Sequence, residues 1–241
     1  MYYKTRLFTK TMKVMQSFIL RKTITLLLLF FISSITLTSQ NLFTGRIVYE
    51  LNYLGSTIDL ATLEILPREV NITAKREMVR TEMESGELTQ IKIADSESGT
   101  ISTVLEVLRE KYVIHKSREA IRQNIQELGD PKITFTDETK EILGYNCKKA
   151  EAVMYDHLGQ ESIVEIYYTE EIPGKPFNFD LPYKEIPGLM LQYEIRVGNI
   201  NMRYEAKSIR SRAGIFIGSR NFRVPRDAKE TTFEELKEKL Q

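Results

Sequence analysis

The sequence predicts a mainly β protein, α+β in class. The expected fold is an antiparallel sheet, strongly curved or rolled into an incompletely closed barrel, with a few short helices. Three observations predict it. Apolar and polar residues alternate with period two through most of the chain, Gly and Pro punctuate the alternating runs, and only two segments combine helical spacing with a recognisable start or stop. The supply of 12 Tyr, 11 Phe and 8 Met is the ordinary filling of a β core. The same residues line an apolar hollow where a sheet curls without closing.

Residues 1–39 read as a secretory signal peptide and residues 40–241 as a single exported domain. Lys4, Arg6, Lys10, Lys13, Arg21 and Lys22 are the only charged residues before Arg46. A basic start, the short apolar run from Leu26 to Ile32, and Ser33, Ser34, Thr36, Thr38 and Ser39 fit a cleaved leader ending near Ser39 or Gln40. The run is too short for the roughly 20 apolar residues of a membrane-spanning helix. The expected location is extracytoplasmic, with no permanent membrane span after cleavage. Loss of six of the 34 basic residues, against 33 acidic ones, leaves a mature chain with five excess negative charges. That balance argues against nucleic acid or an anionic membrane as partner. Cys147 is the only cysteine, so the domain forms no internal disulfide and depends on burial.

Taken in chain order, "GRIVYELNYL" (45–54) places Ile47, Tyr49, Leu51 and Tyr53 on one strand face. "MVRTEMESGELTQIKI" (78–93) reads as two strands around Ser85-Gly86. "TVLEVLREKYVIH" (103–115) fits a helix or a strand. "SREAIRQNIQEL" (117–128) spaces Ile121, Ile125 and Leu128 as a helix that Gly129 stops. "DPKITFTD" is a further strand, and "CKKAEAVMYDHLGQESIVEIYYTEEI" gives two long strands turning at Asp156–Gly159. In the last clear hairpin, Leu189, Leu191, Tyr193, Ile195 and Val197 alternate with polar partners, Gly198-Asn199 suits a type II′ turn, and the strand after it pairs Tyr193 with Tyr204, Ile195 with Met202 and Glu194 with Arg203. Thr232 and Glu235 form a capping box ahead of a short helix with Phe233, Leu236 and Leu240 in a stripe.

The tetrapeptide Glu-Ile-Pro-Gly occurs at 171–174 and 185–188. Its flanks make the first copy the exit from one strand and the second the entry to another, because Pro withholds a ladder donor and Gly tolerates φ > 0. Phe177, Phe179 and Tyr183, in the loop between, are placed inward or over a cavity mouth.

Residues with catalytic or ligating chemistry do not converge on a motif. His115 reads as a strand residue and His157 as a solvated turn residue. Asp95, Glu97 and Glu106 fall at positions 1, 3 and 12 of a calcium loop, but Gly99 and Thr100 occupy positions that need an oxygen donor and a glycine. A turn between strands is the better reading. Lys148 and Lys149 adjoin Cys147, yet Lys148 points to the opposite strand face, so Cys147 reads as a small buried hydrophobe. No catalytic residue, metal site or cofactor is assigned, and the absence of Trp removes the usual platform for stacking sugars.

Three ordered motifs resemble the GLPGLI family and neighbouring families of unknown function from Gram-negative envelopes. They are Lys140, Ile142, Gly144, Tyr145, Cys147, Lys149 and Ala150; then Tyr168, Thr169, Ile172 and Pro173; then Glu185-Ile186-Pro187-Gly188-Leu189-Met190. The resemblance covers about residues 138–197. It implies a periplasmic domain with a lipoprotein-carrier-like (LolA-like) fold, helices inside a concave sheet, and no established activity. Gly144, Cys147, Pro173, Pro187 and Gly188 are then structural. Tyr145, Phe177, Phe179, Tyr183, Leu191, Tyr193 and Tyr204 are the candidate cavity lining. The expected function is non-catalytic binding of a lipid or another apolar small molecule. The alternative is an envelope-protein interaction domain using a sheet face or edge.

Overall fold

The computed structural model describes residues 42–241 except 55–57, 128, 130, 156–160, 198–199, 212–215 and 240–241. The leader, the turns expected at 156–159 and Gly198-Asn199, His157, Leu128 and Leu240 lie outside the described residues. Among the described residues twelve strands form one sheet: β1 (Thr44–Leu54), β2 (Glu69–Lys75), β3 (Met78–Ser85), β4 (Leu88–Asp95), β5 (Thr100–Val107), β6 (Glu110–Lys116), β7 (Lys132–Ile142), β8 (Tyr145–Tyr155), β9 (Glu161–Pro173), β10 (Gly188–Val197), β11 (Ile200–Ser211) and β12 (Lys229–Glu230). Their order is β12-β6-β5-β4-β3-β2-β1-β11-β10-β9-β8-β7. The sheet is open, with β12 and β7 at its edges, and mixed, because β12 runs parallel to β6. Four short α-helices accompany it among the described residues: α1 (Leu60–Ile65), α2 (Arg118–Glu127), α3 (Lys175–Asn178) and α4 (Phe233–Lys239). No helix among the described residues is long and apolar enough to cross a membrane.

The 189–206 hairpin has the expected register. Tyr193 faces Tyr204, Ile195 faces Met202, and Glu194 faces Arg203, whose guanidinium donates to the Glu194 carboxylate at 2.7 and 2.9 Å. The β3–β4 turn falls one residue later than the sequence suggests, on Gly86-Glu87, with Gly86 at φ +57°. Residues 103–115 are strands. Leu108 and Arg109 both adopt positive φ, the signature of a type I′ turn, and Val104 and Val113 pair on its two sides. The calcium-like stretch is the β4–β5 turn: the Asp95 carboxylate accepts from the backbone amides of Glu97 and Ser98, and Gly99 sits at φ +67°. The capping box forms as a reciprocal pair, with Thr232 N–H donating to Glu235 and Glu235 N–H to the Thr232 hydroxyl, each at 3.2 Å.

Curvature follows from where the apolar residues must go. Tyr49 on β1 and Cys147 on β8 belong to one buried cluster, although three strands lie between them and a flat sheet would hold those strands about 19 Å apart. Bulges between Val48 and Tyr49, and on both sides of Leu189-Met190, bend the strands inward. Tyr193 and Tyr204 stack at 4.8 Å, and Tyr49 meets both edge-on at 6.0 and 6.2 Å.

The outer face of the β3–β6 wing is also apolar, and the C-terminal segment covers it. Phe222, Val224 and Ala228 pack on Ile91, Ile93, Val104 and Val113. Lys75 and Arg80 anchor the segment by donating to the carbonyls of Ile217 and Asn221. The chain then pairs β12 with the β6 edge, which blunts an otherwise free strand, and passes into α4.

The two Pro-Gly stretches meet in space. Pro173 is bridged to Gly188, and Gly174 N–H donates to the Pro187 carbonyl at 2.9 Å. Both glycines are required by close approach, and neither has positive φ. A Cβ on Gly188 would lie 2.0 Å from the Thr169 oxygen, and one on Gly174 would lie 2.3 Å from the Gly188 oxygen. The buried Asn178 amide donates to the carbonyls of Ile186 and Gly188 at 3.1 and 2.9 Å, closing the loop between them. Gly188→Ala is therefore expected to destabilise the domain by about 1–3 kcal/mol through overpacking. Asn178→Ala should cost about 1–3 kcal/mol by leaving buried carbonyls without donors. Urea denaturation measures both, and unchanged midpoints would contradict the crossing.

Candidate concave binding site

Side chains alternate across the sheet, so one face is set by register. Val79, Thr81 and Met83 on β3 share it with Gln90, Lys92 and Ala94 on β4; Ile101, Thr103 and Leu105 on β5 and Ile114 and Lys116 on β6 continue it. Two hollows lie on this concave face. One, of about 110 Å³, is bordered by Tyr49, Val70, Met83, Phe177, Leu181, Tyr193 and Tyr204. The other is an open groove of about 360 Å³ between β4, β5, β6 and α2. Its lining combines Ile101, Leu105, Ile114, Ile121 and Phe233 with Gln90, Lys92, Thr103, Lys116, Asn124 and Asp180. Gln90, Lys92 and Asp180 border both hollows. Lys92 Nζ meets the Asp180 carboxylate at 2.6 Å, an ion pair tying β4 to the loop after α3.

The residues expected to line a cavity divide among different places. Phe177, Tyr193 and Tyr204 border the smaller hollow. Phe179 packs beside Ala94, Ile101, Ile121 and Ile125, seating α2 on the sheet. Tyr183 is buried, its hydroxyl donating to the Glu194 carbonyl at 2.7 Å. Leu191 is buried in the main core, and half-buried Tyr145 packs against that core. Sequence reasoning missed Gln90, Lys92, Lys116, Asp180 and Phe233. In a strand such as "LTQIKIAD", Gln90 and Lys92 carry the signature of a solvent face, and nothing local reveals that a helix and a loop wall that face in.

Burial sets the electrostatics of the tyrosines. It pushes Tyr49 and Tyr193 well above the ordinary phenol value and Tyr204 up to about 12. These rings are neutral packing and hydrogen-bonding groups. Tyr49 O–H donates to the Met190 carbonyl at 2.7 Å. Cys147 is buried and burial raises its thiol to about 11, so a thiolate is scarce at neutral pH. Gly144 at φ +82° and Leu143 at φ +54° form the β7–β8 turn. Lys149 lies among Glu138, Glu151 and Glu165 at 3.2, 3.2 and 2.7 Å. Its ammonium is held well above the usual lysine range by those hydrogen bonds, that to Glu165 foremost. His115 is exposed on the convex side, its Nδ1 2.9 Å from the Ser102 hydroxyl. No group of three or more metal-ligating side chains occurs among the described residues.

Fold and site together define a mainly β domain, built on one open curved sheet with a partly polar concave face. The chain belongs to the family described as "N-glycanase peptide, N-terminal domain", whose model matches residues 68–215. A solved structure of PNGF-II shares the fold, with a TM-score of 0.50 at 17% identity, over 81% of this chain and 32% of that one. The chain thus spans about a third of that protein. No curated protein matches it in sequence.

The family match corrects the resemblance to the GLPGLI and lipoprotein-carrier families. The physical source of the misreading is visible in the motifs. Gly144 and Cys147 serve a tight hairpin and a crowded core, and Pro173, Pro187 and Gly188 serve a backbone crossing. Any curved antiparallel sheet selects such residues at such places, so they report geometry more than descent.

At pH 8, Cys147 in the folded protein is expected to react with a disulfide reagent such as Ellman's reagent at least about 100-fold more slowly than in urea. A stopped-flow thiol titration measures this, and equal rates would contradict its burial.

Proposed function

We propose that this chain is an exported, non-catalytic binding domain whose concave sheet face receives a small ligand with an apolar body. The observation that supports this reading best is the groove of about 360 Å³. Its volume falls in the range of about 300–1,000 Å³ common to small-molecule sites, and like them it combines an apolar lining with a few polar groups. The residues around it are held from several directions, by α2 through Ile121 and Ile125, by the loop through Asp180 and by α4 through Phe233. The sequence features of the leader support an extracytoplasmic location.

A neutral fluorescent naphthylamine probe tests the site. The wild-type domain is expected to bind it with enhanced emission, and Thr103→Trp, which fills the groove floor, is expected to weaken binding at least about tenfold while the far-ultraviolet spectrum stays unchanged. A folded Thr103→Trp protein that binds as well as wild type would contradict the reading.

The family's description favours a second reading, an interaction domain attached to or acting beside an N-glycanase. The 11-residue β7 leaves one sheet edge free, and Phe135, Tyr155 and Ile163 are 51, 65 and 58% exposed on β7, β8 and β9. Cross-linking in cell envelopes distinguishes this reading, since it requires a stable protein partner captured through β7.

A further inference from the structure

We infer that the ligand of the groove is a single-chain amphiphile with an anionic head, and that Lys116 is the head-group contact. The inference rests on the reading of the groove as a binding site and adds the ligand's charge and polarity. Among the described residues the groove is lined by three charged side chains, Lys92, Asp180 and Lys116. Lys92 and Asp180 neutralise one another at 2.6 Å. The Lys116 side chain has no hydrogen-bond or ion-pair partner among the described residues, so the described lining carries one positive charge without an ion pair, on a domain whose residues 40–241 are acidic by five.

Lys116 lies opposite Ile101 across the β5–β6 ladder, at the end of the groove where α2 packs. Leu105 and Ile114 extend the surface away from it as an apolar track, and Phe233 adds an aromatic wall from α4. Phe233 is 66% exposed, so a chain laid along the track would remove a large aromatic face from water. A cation at one end and apolar surface along the length match a carboxylate or phosphate head with an alkyl tail. Lys116 protrudes from a partly apolar floor, where the ammonium is less screened than on an open surface. A neutral apolar ligand would leave that charge covered and uncompensated, which disfavours it.

Isothermal titration of the mature protein at low ionic strength compares decanoate, decyl phosphate and 1-decanol. Wild type is expected to bind one or both anions about tenfold tighter than the alcohol, and added salt should narrow the difference. Lys116→Met should bring the anions to the affinity of decanol and leave decanol unchanged. Phe233→Ala should weaken all three. Equal affinity of wild type for anions and alcohol, or a preference that survives Lys116→Met, would overturn the anionic head while leaving an apolar groove. Loss of all three ligands from Lys116→Met would place Lys116 in the groove's own structure and overturn its role as head-group contact. Absence of any binding to wild type would overturn both this inference and the groove as a site.

Discussion

The crossing of the two Pro-Gly segments is the constraint on which the concave site depends. Strand β9 ends at Pro173 and β10 starts at Gly188, and their backbones approach so closely that neither Gly174 nor Gly188 has room for a Cβ. The 13 residues between them must leave the sheet and return at nearly the same point. Asn178 holds the returning backbone by two hydrogen bonds, which fixes α3 and the turn that follows. From that short arc Phe177 and Leu181 reach one hollow, Asp180 reaches both, and Phe179 reaches the seat of α2. Loosening the crossing would therefore disturb the walls of the site before it disturbed the sheet.

Curvature is the second requirement, and the same residues supply it. A sheet with an apolar stripe on one face must bury that face against another layer or against itself. Here the half of the sheet from β1 to β8 wraps the tyrosine cluster and the returning loop, while the β3–β6 wing has its outer face covered by residues 217–228. That division leaves the inner face of the wing only partly filled, by Ile121, Ile125 and Phe179 against Ala94 and Ile101. The groove is a consequence: covering the outer face stabilises the wing, α2 packs on one part of the inner face, and the rest stays open beside α4.

Much of this architecture was legible because local chemistry decides it. The 189–206 hairpin, the α2 spacing and the Thr232–Glu235 capping box each involve residues within a few positions of one another, and turn chemistry and period fix them. The β5–β6 hairpin was ambiguous because Leu108 and Arg109 occupy positive-φ positions that usually belong to Gly or Asn. The tertiary pairing of Val104 with Val113 overrides that local preference. Strand β2 and the C-terminal strap were not anticipated, since "EVNITAK" alternates weakly and the strap forms only by packing on residues over 100 positions away. The site followed the same rule. Phe177, Tyr193 and Tyr204 were recognisable as inward-facing aromatics. Lys92, Lys116 and Asp180 look like solvent residues until α2 and the loop enclose them. The family assignment failed for a related reason: the glycines and prolines that suggested it record how tightly this sheet turns and crosses.

The central claim, that the inner face of the β3–β6 wing is a binding surface framed by α2, α4 and the crossing loop, is tested most directly by amide chemical-shift mapping. In a titration of the labelled domain with decanoate, the largest shifts are predicted on 90–94, 101–105, 114–121, 180 and 233. Shifts confined to the convex face or to the β7 edge, with the wing undisturbed, would contradict it.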